Sequence, residues 1–433
     1  MKRVLIIAYY WPPSAGSGVQ RWLKFTKYLP EFGWQPVVFT PDNPSFELKD
    51  EGLLKEVPKD AEILKIPIWE PYSLHNKILG NKKKNESNAG IVASPKTGFS
   101  AKLSNWIRGN IFIPDPKIFW KKPAVKFLNR YLKQNPVDVI ISTGTPHSMH
   151  LIAKAVAKTN NLPWLADFRD PWSKLDMLQS YSITASNFKK YQKLEKGVLE
   201  AADLCVTTSR VWKDDFKKLG AKKSICITNG YDKSDFNFEI EPYQNFVISH
   251  FGLLNHLRNP KELWQALAEL CHENESFSKD LKIHLGGSIS DENIEHIKKH
   301  TILANHLVIF DYLSHQRVIE EYLKSSVLLL LLFNSESGIG NIPGKLFEYL
   351  AAQKPILAFG AGAGDTKEII ESCRVGSYFN YKESNVEEIK STLLEMYKNF
   401  KKDETYNAVE IERYSRQSLT KDLAQELNKL IEK

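Results

Sequence analysis

The chain has 433 residues, 42% of them hydrophobic and 25% charged, with a formal net charge of +8. This composition fits a folded globular protein of about two to three domains and excludes a fibrous, low-complexity or disordered chain. The basic excess suits an anionic membrane surface, a phosphorylated substrate or a merely soluble exterior, but no Arg/Lys-rich motif or zinc finger points to nucleic acid as a partner.

The opening MKRVLIIAYYWPP is too short for a signal peptide, lacks a small-residue cleavage site and ends in Pro-Pro, so it reads as a buried strand, VLIIAYY (4–10). It runs into WPPSAGSGVQRW, where Gly16 and Gly18 precede a helical pattern. Glycines at a helix mouth let the backbone approach an anion. The dinucleotide fingerprint needs a third glycine at position 21, where Arg21 stands. A phosphate or sugar loop of another kind, or a tight turn, remains. Strands PVVFT (36–40) and EILKI (62–66) follow. A Lys/Asn/Ser-rich stretch at about 80–103 is expected to be a mobile basic loop. The aromatic and basic stretch 103–124 fits either contact with an anionic membrane or a half-buried irregular segment.

Strand VDVIIST (137–143) leads to TGTPHSMH, with His147 in the turn and His150 one helical turn on. A loop histidine there could hydrogen-bond a sugar or leaving group, or cap the helix. The pair has no third ligand, so no metal is expected. Strand PWLADF (163–168) leads to DFRDPW, where Asp167 and Asp170 flank Arg169. The acids could accept from sugar hydroxyls and the arginine could steer a phosphate, or the three could satisfy one another in a turn. DLCVTTS (203–209) and SICITN (224–229) complete the first set of strands, and the polar stretch 229–245 reads as a linker.

The second half repeats the scheme with FVISHFG (246–252), KIHLGG (282–287), HLVIFDYL (306–313), VLLLLLF (327–333) and KPILAFG (354–360). Short apolar runs alternating with helices predict parallel sheets covered on both faces. Gly252 ends a strand, and Arg258 and Lys261 stand at the mouth of the next helix. Cations there oppose the helix dipole, which favours a role such as neutralising a diphosphate. ESGIGNIPGKLFEYLAA places Asn341, Ile342 and Lys345 around another helix start and Glu348 one turn in, suited to a phosphate and a ribose diol. The last segment is an amphipathic helix. Four widely spaced cysteines without zinc spacing make a reducing cytoplasm the simplest setting.

These motifs together resemble the retaining family 4 glycosyltransferases of the GT-B fold over nearly the whole chain. The resemblance rests on YYWPPSAGSGVQR, LADFRDPW, ITNGYDKSDF, HFGLLNHLRNPKELWQAL and IPGKLFEYLAAQKPILAFG. It implies an α/β chain of two Rossmann-like domains facing across a cleft: an acceptor domain at 1–235, a donor domain at 236–412, and a helix at 413–433 crossing back to the first. It implies transfer of a sugar from a UDP- or GDP-type donor to a glycan or lipid-linked acceptor, with retention, at the inner face of a membrane in polysaccharide or lipopolysaccharide assembly. No cofactor or metal is expected. Arg258, with Lys261, would hold the diphosphate, with Lys345, Asn341 and Ile342 at the helix mouth. Glu348 would take the ribose, Gly252 would allow close approach, and Gly16 and Gly18 would line the diphosphate from the other domain. His147, Asp167, Arg169 and Asp170 would meet the donor sugar or acceptor as the catalytic set. The family's Glu-x7-Glu pattern is broken, because Gly340 stands where the first Glu falls. A nucleotide-sugar 2-epimerase and a non-catalytic binding subunit are the alternatives.

Overall fold

The computed structural model describes residues 1–46, 49–70, 99–174, 178, 181–237, 239–311, 313–404, 406 and 408–432. The expected mobile loop lies outside them as far as residue 98, and residues from 99 onward form the helix Phe99–Asn110. The chain divides into two compact units, Met1–Thr228 with Arg416–Lys433, and Asn229–Ser415.

The first unit holds a seven-stranded sheet: β1 (Lys2–Ile7), β2 (Trp34–Pro41), β3 (Glu62–Ile66), β4 (Val139–Gly144), β5 (Trp164–Phe168), β6 (Leu204–Thr207) and β7 (Ser224–Cys226). All pairings are parallel, in the order β3-β2-β1-β4-β5-β6-β7. Parallel strands need crossovers, and the crossover helices cover both faces. Alternate residues therefore enter opposite cores. Leu5, Ile7 and Ile140 pack on one side, and Val4, Ile6, Val139 and Ile141 on the other. The helix Arg416–Ile431 supplies Leu419, Leu423, Leu427 and Leu430 to the second of these cores. Their spacing of four, four and three keeps one stripe inward. Each fully buried leucine contributes about 1.5–3 kcal/mol.

The second unit holds β8 (Phe246–Phe251), β9 (Leu281–Gly286), β10 (Leu307–Phe310), β11 (Val327–Leu331), β12 (Ile356–Gly360) and β13 (Gly376–Asn380), all parallel, in the order β10-β9-β8-β11-β12-β13. In β11, Val327, Leu329 and Leu331 face one core and Leu328 and Leu330 the other. The alternating pattern predicted two doubly wound parallel sheets, and both are present. Strand β13 (GSYFN) was not among the predicted strands, because it is a half-buried edge strand without an apolar run.

In each sheet the strand order reverses once, between β1 and β4 and between β8 and β11. Ligands of open parallel sheets bind beyond the strand carboxyl ends at such a reversal. In the first unit that position gathers the loop after β1, with Gly16, and the turn after β4, with His147. In the second it gathers Gly252 after β8 and the segment after β11 that leads to Lys345.

Candidate functional site

In the second unit, β8 ends at Phe251 and the chain turns through residues 253–260, held by Leu254 N–H on the Ser288 carbonyl and Arg258 N–H on the Asn255 carbonyl. The turn brings the Arg258 guanidinium over the Phe333 ring at 3.8 Å. Its Nε is buried without a hydrogen-bond partner among the described residues. The helix Gly344–Ala352 starts at Pro343 with no side-chain cap, so its first N–H groups are unclaimed by one. Leu346, Phe347 and Leu350 bury one face, which turns Lys345 and Glu348 the other way. The Lys345 ammonium lies against Gly252, where a Cβ would collide with it and would stand 3.1 Å from His250 Nε2. Glycine at 252 is thus a close-approach requirement.

The electrostatics are one-sided. Neither Arg258 nor Lys345 makes an ion pair among the described residues. Burial, with the nearby Arg258 charge, pushes Lys345 down to about 8 against the pull of Glu348. Burial also lowers Arg258. His250, hydrogen-bonded through Nδ1 to the Leu329 carbonyl at 2.8 Å, is held near 3 by burial and by the Lys345 charge. Two half-buried cations and a neutral imidazole beside an open helix N-terminus form a site for an anion. Glu348 lies at its edge, 3.0 Å from His315 Nε2. His315 was not singled out in the sequence; its position 33 residues upstream gives no local signal.

The other expected donor residues fall differently. Ile342 is 4% exposed and its side chain is packed in the core, not turned to a ligand. Asn341 is half-buried, and its carbonyl accepts from Thr366 Oγ1 at 3.4 Å. Lys261 is exposed at the start of its helix, where its charge falls on His296 rather than joining Arg258 and Lys345. Gly340 is buried at the end of the short helix Glu336–Ile339.

In the first unit, Gly16 has φ +101° and precedes the helix Ser17–Tyr28. A Cβ at Gly18 would collide with the Arg169 guanidinium, which lies against that helix start. Arg169 donates to the Gly144 carbonyl at 3.0 Å and to the Thr145 carbonyl, beside Tyr10. It does not pair with Asp167. That carboxylate is fully buried and accepts from Arg21 Nη2 at 2.9 Å, Trp22 Nε1 at 2.7 Å and Thr143 Oγ1 at 3.0 Å. Arg21 stands where the third fingerprint glycine would be and reaches from the helix into the sheet. Asp167 is therefore a fastening of helix to strand and not a group open to substrate. Asp170 differs: it is half-buried, makes no hydrogen bond or ion pair among the described residues, and burial raises its carboxyl above the ordinary range.

His147 is buried, stacked on Trp172 at 4.5 Å with planes 7° apart, and both its ring nitrogens lack hydrogen-bond partners among the described residues. Among the described residues the Trp172 indole N–H and His150 Nε2 have no partner either, while His150 Nδ1 meets Ser142 Oγ at 2.8 Å. Glu195 secures the arrangement, accepting from Trp172 N–H at 3.0 Å and from Ser173. Buried polar groups without protein partners are uncommon, and a cluster of them beyond a strand end is suited to a polar ligand or to water. Among the described residues no group of three metal-ligating side chains occurs.

Burial holds both imidazoles neutral, His147 well below its usual range and His150 near 3. A depressed folded-state pKa means that the unfolded chain takes the protons first. Stability is then fully present above about pH 6.5 and lost as pH falls below it. The His150 imidazole should remove about 2 kcal/mol between pH 6.5 and 5, and His147 acts in the same direction. Chemical denaturation across that range checks this. His150→Asn should make the slope shallower by one proton, and an unchanged slope would refute the assignment.

No protein-family model and no curated protein sequence matches the chain. Solved structures do resemble it along its length. Sucrose-phosphate synthase from Thermosynechococcus elongatus superposes with TM-score 0.59 at 12% identity, covering 100% of both chains. HepE of Anabaena, solved with UDP-glucose, gives 0.59 at 13%, covering 99% of this chain and 100% of that one. A Listeria monocytogenes protein assigned as a UDP-N-acetylglucosamine 2-epimerase gives 0.56 at 11%, covering 99% and 96%. The fold is GT-B. Within GT-B, these identities carry the architecture and not the reaction, so the activity has to be argued from the residues.

Proposed function

We propose that the chain is a retaining glycosyltransferase that moves a sugar from a nucleotide diphosphate to a glycan or lipid-linked acceptor, in cell-surface polysaccharide or lipopolysaccharide assembly. The observation that carries this is the pair Arg258 and Lys345, half-buried cations close enough to repel each other that make no ion pair among the described residues, with Lys345 against Gly252 at an uncapped helix start. A diphosphate supplies the missing charge. Glu348 accepts from the ribose hydroxyls. Similarity to a protein solved with UDP-glucose agrees with that donor class.

The acceptor hydroxyl attacks the anomeric carbon on the face from which the diphosphate leaves. As the glycosidic bond to the β-phosphate breaks, that oxygen takes the acceptor's proton. Arg258, Lys345 and the helix N–H groups stabilise the charge growing on the leaving group, so the reading needs no metal. His147, Arg169 and Asp170 bind acceptor or sugar, with the neutral imidazole of His147 as hydrogen-bond donor and acceptor.

We also place the first unit against an anionic membrane at the cytoplasmic face. Leu103, Trp106, Ile111 and Phe119 are exposed, in a stretch of chain that also exposes Arg108 and Lys122. No helix among the described residues is long and apolar enough to cross a membrane.

The epimerase reading is favoured by one observation, the unpartnered Asp170 and His147 near each other's strand ends, together with the Listeria likeness. A labelled nucleotide-sugar panel decides. Turnover that requires an added acceptor supports transfer, and conversion of the donor sugar without acceptor refutes it in favour of epimerisation.

A further inference from the structure

The first unit carries a groove of about 650 Å³ that the reading above does not use, within the roughly 300–1,000 Å³ of small-molecule sites. Its apolar lining is Ile111, Ile113, Leu151 and Leu194. Its polar lining is dominated by three cations, Lys154, Lys190 and Lys193, and includes no acidic side chain. Lys154 donates to the Gly197 carbonyl at 2.5 Å and Lys190 to Asn187 Oδ1 at 2.8 Å. None of the three makes an ion pair among the described residues. Leu151 is one helical turn beyond His147 on the helix Ser148–Asn160, so the groove begins close to the carboxyl end of β4. Ile111, one of its lining residues, is 59% exposed.

Aliphatic walls with a cationic, acid-free rim fit one kind of occupant, an amphiphile with an apolar chain and an anionic head. We propose that this groove binds the acceptor as a lipid phosphate, with its hydrocarbon along Ile111, Leu151 and Leu194 and its phosphate on Lys190 and Lys193. This rests on the transferase reading only for the word acceptor; the binding itself does not. It narrows that reading from a glycan or lipid-linked acceptor to a lipid carrying a phosphate. The exposed apolar rim gives the lipid a route from a bilayer surface.

The test is calorimetric titration of the full chain with dodecyl phosphate below its micelle concentration, against dodecyl maltoside and inorganic phosphate. Dodecyl phosphate should bind at least tenfold tighter than either. Lys190→Glu with Lys193→Glu, both at exposed positions, should weaken it at least tenfold, and Ile111→Asp should weaken it with the lysines intact. Equal affinity for the maltoside, effective competition by inorganic phosphate, or unaltered binding in the lysine variant each overturns the proposal. UDP and GDP binding is read in the same samples. Loss of nucleotide binding with dodecyl phosphate binding intact would refute the transferase reading and leave the groove assignment standing.

Discussion

Replacing Lys345 by Met is expected to weaken nucleoside diphosphate binding about 10- to 100-fold while the unliganded protein melts no lower than the parent, or higher. The first half follows from the charge. A hydrogen bond to a charged group contributes about 1.5–3 kcal/mol, and each 1.4 kcal/mol is tenfold in affinity. The second half follows from the missing partner. Lys345 is desolvated and makes no ion pair among the described residues, Glu348 offsetting only part of the burial, so its ammonium costs folding energy that Met, with a similar stem, does not incur. Arg258→Ala should lose affinity by a similar factor. It also forfeits the stacking on Phe333, about 0.5–1 kcal/mol, so its melting temperature is the less diagnostic of the two. Because Lys345 titrates near 8 without ligand, parental affinity should fall as pH rises from 8 to 9, and the Lys345→Met variant should be flat across that range. Gly252→Ala pushes the ammonium aside without touching the charge and should mimic the loss at pH 7. Wild-type affinity in both Lys345→Met and Arg258→Ala would remove the donor site from this unit.

The parts of this site that could be read from sequence share one property: their signal is local. A strand ending in glycine, a cation at a helix mouth and an acid one turn inside each depend on neighbours in the chain. Lys345, Glu348 and Gly252 could be read in that way. Lys261 shows the limit of the same argument. A cation at a helix start looked out of place, yet an exposed side chain there can simply turn to solvent, as this one does. The fold was legible because parallel strands buried on both faces are continuous apolar runs. Strand β13 escaped because an edge strand half-open to solvent need not be apolar. Partnerships across the sheet were not legible. The stack of Trp172 on His147 and its anchoring by Glu195 join residues 25 and 23 positions apart through tertiary packing alone. Asp167 looked as open as Asp170 in DFRDPW. The pleat of β5 separates them, pointing one carboxylate into the helix layer and leaving the other beyond the strand end.

That separation sets the largest stability effect to expect. Asp167→Ala should destabilise the first unit by about 3–5 kcal/mol, the cost of leaving a buried charge without its partner. Arg21 is 1% exposed, and without Asp167 it keeps, among the described residues, one hydrogen bond to the Thr228 carbonyl at 2.7 Å and the Phe25 ring at 5.0 Å, with no counter-charge, while Trp22 Nε1 and Thr143 Oγ1 lose their acceptor as well. Removing both charges is a different matter. Arg21→Met with Asp167→Leu replaces a buried ion pair by apolar volume and should recover much of the loss, since such replacements are often neutral or stabilising. A catalytic Asp167 predicts the reverse pattern. Asp167→Asn would then fold and melt like the parent but turn over no donor, and the double variant would be as inactive as the single. Denaturation and single-turnover assays on the three variants separate these cases. A single-alanine variant that melts with the parent would return Asp167 to the chemistry. A double variant that regains stability would show why position 21 holds an arginine, because a glycine there could not reach the carboxylate that ties the first helix to β5.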